Sequence, residues 1–527
     1  MNSLRDQGMR DTGGAPGRGP NQSGGTVPLW YAGVAVPEHA PLAGSARADV
    51  CVVGAGIAGL TTAYLLARAG RSVIVLDEKP IAGGESGRTS AHLSSAIDDR
   101  FTRIERLHGE DAARLHTASH AAAIDLIESI CAEEAIDCGF KRIDGTLFLG
   151  DGQPLELLNE EFAAARRANV PGVSRVDCAP SAGVPERPCL RFPNQGRFHP
   201  LKYLVGLAGA LERLGVRIHC GDRVVDLSGN GPVEARLSSG SSVTAAWGVA
   251  ATNVPSPINN WTGIYTKLAP YRTYVTAFEV LPGAVADALC WDMLDPYHYV
   301  RIEPGRPRDL LIVGGEDHKT GQPGDERLHR FERLERWARE WFPAAGEMAF
   351  RWSGQVSEPA DGVAFIGRVP TRKHDACFVI TGDSGMGLTH GSLGAMLVSD
   401  LILGRENPWA GLYDPARKPT GAAAEFLREN LNAAAQLSDH LTPGELSSAE
   451  DVPAGEGALV REGLRKLAVY RDADGSLHKR SATCPHLGCV VQWNPVERSW
   501  DCPCHGSRFD AHGRLITGPA IDDLNEA

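Results

Sequence analysis

The pattern of hydrophobic and polar positions predicts a βαβ unit after a polar N-terminal segment. An apolar run over residues 50–53 is typical of a buried strand, and Leu60 and Tyr64 recur at helical spacing. Gly70 ends this helix, and residues 73–76 form the next buried strand. Two buried strands joined by a helix indicate a parallel sheet of an α/β fold.

The same patterns predict further elements along the chain. They indicate a helix over about 100–135, a helix and strand from Phe198, strands over 271–280 and 297–314, a charged amphipathic helix over 326–341, and a strand, Gly-rich loop and helix from Cys377. An Ala-rich helix is expected over 421–436, and a stretch rich in Pro, Gly, Ser and acidic residues, 442–456, is typical of a linker. The final segment of the chain has short β-like runs and turn residues.

Composition and charge exclude several classes of protein. The chain has 527 residues, 43% of them hydrophobic and 22% charged, which is enough for several globular units. Its net charge of −12 argues against general binding to nucleic acid. No apolar run reaches about 18 residues and the first residues lack a hydrophobic signal region, so we expect a cytoplasmic protein without a transmembrane segment. A disordered tail is predicted over residues 1–44.

The distribution of the 12 cysteines is uneven. Eight are scattered, and we expect them to be buried, reduced thiols: Cys51, Cys131, Cys138, Cys178, Cys189, Cys220, Cys290 and Cys377. The other four lie between positions 484 and 504, where Cys484-x-His486 is followed by Cys502-x-x-His505. Two Cys and two His can bind a zinc ion, as in a zinc ribbon, or an iron–sulfur cluster. Glycines and prolines in both loops favour the cluster.

This segment resembles the Rieske family, in which the pattern is C-x-H-x-G-C followed by C-x-C-H-G-S. The resemblance implies an all-β domain in which Cys484 and Cys502 bind one iron of a [2Fe–2S] cluster, and His486 and His505 bind the other. It also implies a disulfide that ties the two loops together and a serine that donates to a bridging sulfide; these residues are Cys489, Cys504 and Ser507. Phe509 replaces a tyrosine of the high-potential members, so we expect a lower reduction potential.

The turn after the first strand has the spacing of a dinucleotide-binding fingerprint. Gly54 permits the tight turn, Gly56 lets a pyrophosphate approach the backbone, and Gly59 allows close packing of helix and strand. Asp77 ends the second strand, where an acid can bind ribose hydroxyls. The N-terminus of the helix offers free N–H groups to the pyrophosphate.

From about Ala48 to Arg417 the chain resembles the D-amino-acid-oxidase-like FAD oxidoreductases. The matching segments are the fingerprint, the run Gly83-Gly84-x-Ser86-Gly87-Arg88, Phe198-His199-Pro200, Ala250-Ala251-Thr252-Asn253, Asp361-Gly362 with Ile366-Gly367, and the loop Gly382–Gly391. The resemblance implies FAD at Arg88 and at Gly385 and Gly387, which precede a helix whose N-terminus stabilises the anionic reduced ring. His92 is either an ordinary loop histidine or the site of a covalent bond to the flavin.

The two resemblances together imply a Rossmann-like α/β FAD-binding domain, an α+β substrate domain and a C-terminal all-β Rieske domain. The expected boundaries are 45–418 for the FAD-dependent oxidoreductase, 419–455 for a helix and linker, and 456–527 for the Rieske domain. Within the first unit, we expect FAD-binding segments at about 45–95, 195–260 and 351–418, and a substrate domain at about 96–194 and 261–350.

Candidate catalytic residues come from predicted strands that would face the flavin. Arg272 lies in one strand, and Tyr299 and Arg301 lie in another, where alternation puts both on one side and His298 on the other. An arginine can bind a substrate carboxylate through two hydrogen bonds. His390 lies inside the predicted flavin loop. Each of these residues could equally be a structural polar side chain.

The combination of cofactors predicts an enzyme that oxidises a C–N bond of a small amine or amino acid. In this hypothesis the substrate reduces FAD, and the cluster passes electrons singly to an unknown external acceptor. Alternatives are oxidation of a glycerol-phosphate-like alcohol and a non-catalytic electron-transfer protein. A Rieske oxygenase would need a mononuclear iron site, of which Glu326-x-x-His329 is only a fragment.

Overall fold

The computed structural model describes residues 24–527 apart from 182–183, 255, 257–262, 323–328 and 372–373. Its helices are α1 (Ile57–Arg68), α2 (Phe101–His108), α3 (Glu110–Glu133), α4 (Leu155–Arg167), α5 (Pro200–Arg213), α6 (Arg330–Trp341), α7 (Gly387–Ile402), α8 (Ala410–Tyr413) and α9 (Ala423–Ala435). The helix predicted over 100–135 is two helices, because Gly109 at φ +87° breaks the run between α2 and α3.

The first sheet has parallel central strands, as the βαβ pattern predicts. Its strands are β1 (Ser45–Val53), β2 (Val73–Asp77), β7 (Arg217–Cys220), β8 (Val224–Ser228), β9 (Val233–Leu237), β10 (Ser242–Asn253), β16 (Phe365–Arg368) and β17 (Cys377–Thr381). The order is β16-β17-β10-β1-β2-β7, with β8 and β9 extending from β10. Because β1 lies between β2 and β10, the turns at the carboxyl ends of central strands meet at one edge.

The second sheet is mostly antiparallel and faces this edge. It comprises β3 (His92–Leu93), β4 (Lys141–Phe148), β5 (Ser174–Cys178), β6 (Arg187–Arg197), β11 (Leu268–Val280), β12 (Leu289–Asp292), β13 (His298–Glu303), β14 (Asp309–Lys319) and β15 (Met348–Pro359). The predicted boundary at residue 350 falls inside β15, which pairs with β11 from Met348 to Pro359. The second sheet therefore extends further along the chain than predicted.

The C-terminal domain consists of two small antiparallel sheets. Three strands form one sheet and four form the other: β18 (Gly457–Glu462), β19 (Arg465–Arg471), β20 (Leu477–Ser481), β21 (Gln492–Asn494), β22 (Ser499–Asp501), β23 (Arg508–Asp510) and β24 (Leu515–Thr517). The segment predicted as a linker packs on this domain, since Ala449 and Val452 are buried with Val460 of β18. Because these apolar side chains are buried, the end of the predicted linker is part of the C-terminal domain.

The N-terminal prediction needs a correction where the structure describes the chain. Residues 1–23 lie outside the described residues, but residues 24–44, also predicted to be disordered, contact the folded units. The Trp30 side chain is fully buried, its ring lies edge-on to His199, and its Nε1 donates to Thr89 O at 2.6 Å. The Tyr31 hydroxyl donates to Ala82 O at 2.9 Å. Two large aromatic side chains thus fix a segment that was predicted to be disordered.

Candidate flavin cavity and cluster site

A cavity of about 320 Å³ lies between the two large sheets. Its wall combines the β1–α1 turn, residues 84–98, strands of the second sheet and the first turn of α7. Residues 515–518 of the C-terminal domain also line it. The cavity is therefore built from all three units that the sequence predicts.

The fingerprint glycines lie where a dinucleotide would need close approach to the backbone. Gly54 has φ +116°, and a Cβ on Gly59 would lie 1.8 Å from Gly54 O, so neither position accepts a side chain. A Cβ on Gly56 would lie 2.8 Å from Ser86 Oγ. Gly54 and Gly56 line the cavity at the N-terminus of α1, and this arrangement fits a pyrophosphate.

Asp77 lies at the end of β2, at the cavity wall, as the sequence predicts. Its Oδ2 accepts a hydrogen bond from Ala55 N at 2.6 Å, and its Oδ1 accepts one from Lys79 N at 2.8 Å. Burial raises its pKa to about 6, although both hydrogen bonds oppose the shift. The position fits an acid that accepts from a ribose hydroxyl.

The flavin loop also fits its predicted position. Gly385 has φ +70° and Gly387 begins α7, and both line the cavity. A Cβ on Gly385 would lie 2.2 Å from Asp98 Oδ2. The N-terminus of α7 thus lies at the cavity wall, where its free N–H groups would stabilise a negatively charged ring.

Arg88 lines the cavity, but its guanidinium group forms hydrogen bonds to other protein groups. Nη2 lies 2.8 Å from Glu497 Oε1, Nε donates to Ser353 O at 2.5 Å, and Nη1 donates to Thr26 O at 3.0 Å. The arginine and glutamate side chains are both fully buried. Arg88, a predicted FAD-binding residue, thus lies at the cavity wall with its charge paired to Glu497 of the C-terminal domain.

Arg272 and Arg301 also need a correction, because neither lines the cavity. Arg272 is fully buried, with Nη2 donating to Ser353 Oγ at 2.5 Å and lying 3.5 Å from Glu497. Arg301 Nη1 donates to the carbonyls of Ala91 and Phe198, and Nη2 pairs with Glu303. Their guanidinium groups bind protein partners and are not positioned to hold a carboxylate of a substrate.

Tyr299 does line the cavity, within a cluster of aromatic and acidic side chains. Its hydroxyl lies 2.8 Å from Thr273 Oγ1, and its ring lies edge-on to His92. His298 is on the opposite side of β13, where its ring stacks on Trp337, as the predicted alternation requires. His92 is half-buried with Nδ1 hydrogen-bonded to Ser90 Oγ at 3.0 Å.

Two carboxylates in this cluster were not found from the sequence. Asp98 accepts from the Tyr297 hydroxyl at 3.0 Å, and Asp317 lies at the end of β14; both line the cavity. Burial raises the pKa of Asp98 to about 6, with a further increase from Asp99. Burial likewise raises the pKa of Asp317 to about 7. Acids on an irregular segment and at a strand end show no pattern that distinguishes them from surface acids.

His390 lies at the cavity wall in α7, but its imidazole also belongs to a buried histidine cluster. Nδ1 is 2.7 Å from Asp383 O. His116 and His120 of α3 complete the cluster, which sequence analysis missed, although their i, i+4 spacing puts them on one helix face. Burial lowers the pKa of His390 to about 4, so this imidazole is neutral near pH 7.

The proposed cluster ligands lie in two loops that face each other. Cys484 and Cys502 are buried thiols without a disulfide partner, and the rings of His486 and His505 are 5.1 Å apart. Within the described residues, the buried Nδ1 of His505 has no hydrogen-bond partner. Two buried sulfurs, two imidazoles and an unpaired ring nitrogen fit the donor set of a [2Fe–2S] cluster with two Cys and two His ligands.

Two disulfides form in the described structure. Cys489–Cys504 joins the two loops, as the Rieske resemblance implies. Cys178–Cys189, with Cα atoms 6.2 Å apart, corrects the prediction that all eight scattered cysteines are reduced. These two residues lie on the adjacent strands β5 and β6, whose pairing could not be read from the sequence.

The cluster loops are docked on the wall of the cavity. The ring of Tyr265 lies edge-on to both His486 and His505, at 4.8 and 5.1 Å. Gln355, which lines the cavity, donates through Nε2 to Gly506 O at 3.0 Å. One side chain thus connects the cavity wall with the residue next to His505.

Comparison with known proteins decides the family. The family model for FAD dependent oxidoreductases (DAO) matches residues 49–401, which is more than half of the chain. The chain is a member of the FAD dependent oxidoreductase family. A second model, the Rieske [2Fe-2S] domain, matches residues 443–527. This FAD dependent oxidoreductase binds FAD and a [2Fe–2S] cluster, and both cofactor predictions are confirmed.

Relatives of this FAD dependent oxidoreductase support the same organisation. A Bacillus subtilis protein described as a Rieske 2Fe-2S iron-sulfur protein, YhfW, is 29% identical over 504 residues, covering 94% of this chain and 96% of that protein. Gamma-glutamylputrescine oxidoreductase of Escherichia coli is 26% identical over 377 residues, covering 68% of this chain and 84% of that protein. The predicted fold class and the prediction of an oxidoreductase are confirmed.

Solved structures agree on the fold of the larger unit of this FAD dependent oxidoreductase. Glycine oxidase from Geobacillus kaustophilus superposes with a TM-score of 0.59 at 16% identity, covering 71% of this chain and 99% of that chain. The described residues contain no helix that is long and apolar enough to cross a membrane. Glu326, part of the alternative oxygenase site, lies outside the described residues.

Proposed function

We propose that this oxidoreductase oxidises a small cationic amine and delivers the electrons through its cluster to a one-electron acceptor outside the chain. The observation that carries the proposal is the pair of carboxylates, Asp98 and Asp317, at an aromatic part of the cavity wall. Trp291, Tyr297 and Tyr299 complete that part. Aromatic faces and carboxylates both attract an ammonium group.

The charges around the cavity distinguish an amine from an amino acid. The arginines that line the cavity are Arg88 and Arg223, and both are paired, with Glu497 and Glu78 respectively. Among the described lining residues, this leaves no unpaired guanidinium to bind a substrate carboxylate. A glycerol-phosphate-like alcohol is also disfavoured, because its phosphate anion would lack an unpaired guanidinium and would face Asp98 and Asp317.

The chemistry divides between the cofactors and the side chains. Bound FAD accepts a hydride from the carbon next to nitrogen, and the [2Fe–2S] cluster carries electrons one at a time. The chain binds and orients the ammonium group, and Asp317 accepts a proton from it before the C–H bond breaks. Hydrolysis of the resulting imine gives a carbonyl compound and ammonia or an amine. Each turnover releases two electrons, which reduce two equivalents of the external acceptor.

The docking of the Rieske domain supports electron transfer within the chain. The hydrogen bond from Gln355 to Gly506 O joins the cavity wall to the cluster loop. Residues 515–518 of the same domain line the cavity, and Lys79 Nζ donates to Ile516 O at 2.5 Å. A domain that helps to form the cavity wall holds its ligand loops beside the cavity without a hinge motion.

Anaerobic reduction with matched compounds tests the proposal. Each amine is paired with the amino acid that carries the same side chain and one additional carboxylate, and glycerol 3-phosphate is included. We expect the second-order rate constant of flavin reduction to be at least ten-fold higher for amines than for their amino acid partners, and the cluster to be reduced after the flavin. Faster reduction by the amino acids would contradict the amine assignment, and a cluster that stays oxidised would contradict the relay. Reduction by none of a broad set of amines would favour the non-catalytic alternative.

A further inference from the structure

Three histidines form a buried cluster between helices α3 and α7. His116 and His120 are fully buried, and His390 is 2% exposed. The rings of His116 and His120 stack at 4.2 Å, and His390 lies edge-on to His120 at 4.5 Å. One nitrogen of each ring lies within 4.8 Å of the corresponding nitrogens of the other two.

Hydrogen bonds fix which nitrogens carry protons in two of the rings. His390 Nδ1 is 2.7 Å from the carbonyl of Asp383, which can only accept, so Nδ1 carries the hydrogen. His120 Nδ1 is 2.8 Å from Thr389 Oγ1, whose own hydrogen is donated to Met386 O. His120 Nδ1 is therefore also the donor. In the neutral rings, both Nε2 atoms are then left with an unprotonated lone pair.

These lone pairs have no partner within the described part of the chain. Nε2 of His120, Nε2 of His390 and both nitrogens of His116 are buried without a hydrogen bond. Leaving a buried polar group unpaired is destabilising, because the group has given up its hydrogen bonds to water.

We propose that His116, His120 and His390 bind one divalent transition-metal ion of the class that imidazole favours, represented by Zn²⁺. Imidazole suits zinc, copper, iron and nickel, and the two histidines at i and i+4 of a helix are a common pair of ligands. Metal-bound histidines usually donate their other ring nitrogen to a carbonyl or a similar group. Asp383 O and Thr389 Oγ1 already accept in this way.

The spacing allows coordination after small movements. Three atoms within 4.8 Å of one another all lie within about 2.8 Å of a common point, since a triangle of that side has this radius. Zinc–nitrogen distances are about 2.0–2.1 Å, so each nitrogen needs to move inward by less than about 1 Å, and the stacked rings of His116 and His120 need to tilt so that their lone pairs converge. The ion would join α3 to the first turn of α7, whose residues Thr389 and His390 also line the cavity.

Metal analysis of the full-length holoprotein tests the proposal independently of its activity. Protein from zinc-supplemented medium is passed through gel filtration with a chelator, then analysed for metals and acid-labile sulfide. We expect about one ion per chain beyond the two irons and two sulfides of the cluster; an additional iron would appear as a third iron for two sulfides. No additional ion in a protein with a complete cluster would overturn the proposal.

Variants then identify the ligands. His116→Leu removes an imidazole that has no hydrogen bond in the described structure, so it breaks none. We expect at least a ten-fold loss of the additional ion with the cluster retained, and His120→Gln should give the same loss. His329→Leu, which changes an exposed histidine, should keep the ion. Retention of the ion by His116→Leu would overturn the assignment, and if that variant does not fold, the wild-type stoichiometry and His120→Gln decide.

Discussion

Arg88 at the cavity wall and Glu497 of the Rieske domain form an ion pair with 2.8 Å between Nη2 and Oε1, and both side chains are fully buried. Glu497 also accepts from Ser353 and from Thr26, so one carboxylate connects the Rieske domain, the second sheet and the N-terminal segment. The two folded units are thus fixed to each other by charge pairing inside the protein.

Removing this charge should destabilise the whole assembly. Glu497→Gln leaves the buried Arg88 without its counter-ion, and we expect a decrease in the free energy of unfolding of roughly 3–5 kcal/mol. Urea unfolding followed by tryptophan fluorescence measures it. The matched control is Glu462→Gln in β18, which breaks a half-exposed pair with Lys479 and should cost at most about 1 kcal/mol. Equal effects of the two variants would show that the buried pair does not hold the domains together.

The contribution of Glu497 should depend on pH in a defined direction. Burial raises its pKa, but Arg88, Arg272 and Arg508 outweigh this and lower it to about 2. Because the pKa is lower in the folded state, the ionised carboxylate stabilises the fold above about pH 4.5, and this stabilisation is lost as the pH falls toward 2. We expect the difference in unfolding free energy between wild type and Glu497→Gln to be constant near neutral pH and to narrow below about pH 4.5.

Asp317 should be needed for recognition of an amine. Asp317→Asn removes a charge-assisted interaction of roughly 1.5–3 kcal/mol, which corresponds to a ten- to hundred-fold lower kcat/KM for amines. Asp309→Asn, at the other end of β14, is the control and should leave kcat/KM unchanged. If Asp317→Asn oxidised amines as well as wild type, Asp317 would have no part in binding the amine or in accepting its proton.

The rate with amines should rise with pH through the range in which the cavity acids ionise. Burial raises the pKa of Asp98 to about 6 and that of Asp317 to about 7, so below these values both are neutral and attract an ammonium group weakly. We expect kcat/KM to increase between about pH 5 and 8. In Asp317→Asn, the part of this increase in kcat/KM that occurs near pH 7 should be absent. If kcat/KM of the wild type did not change with pH, this would argue against an ionised carboxylate at the substrate.

Ser507 should raise the reduction potential of the cluster. Its hydroxyl accepts from Ala520 N at 3.0 Å, and we expect it to donate to the Cys484 sulfur when the cluster is bound. A donor to a thiolate ligand stabilises the more negative, reduced cluster, so Ser507→Ala should lower the potential by roughly 60–130 mV, the equivalent of about 1.5–3 kcal/mol. A redox titration followed by electron paramagnetic resonance measures this. Ser476→Ala in the exposed β19–β20 turn should leave the potential unchanged.

The sites that can be predicted from sequence are those whose residues lie close together in the chain. Gly54, Gly56 and Gly59 surround one turn, and a Cβ would collide at each of them, so their spacing alone indicated the nucleotide site. The four predicted cluster ligands lie in two loops joined by a disulfide. Short-range geometry of this kind is encoded directly in residue type and spacing.

The predicted arginine clamp shows where the sequence was insufficient. Alternation correctly put Tyr299 and Arg301 on one side of β13, but the cavity ends between them, and Arg301 binds backbone carbonyls instead. Arg272 turns toward Glu497, more than two hundred residues away in the chain. A strand pattern determines on which face of the strand a side chain lies, but it does not determine which groups of the protein contact that side chain.

The sequence by itself determined the two cofactors and the order of the units, because each depends on motifs of a few residues. Only the tertiary structure decided that Asp98 and Asp317 share a cavity wall, that three histidines from two helices meet, and that Glu497 pairs with Arg88. These contacts join residues far apart in the chain, and they arise from strand pairing and domain docking that no local periodicity records.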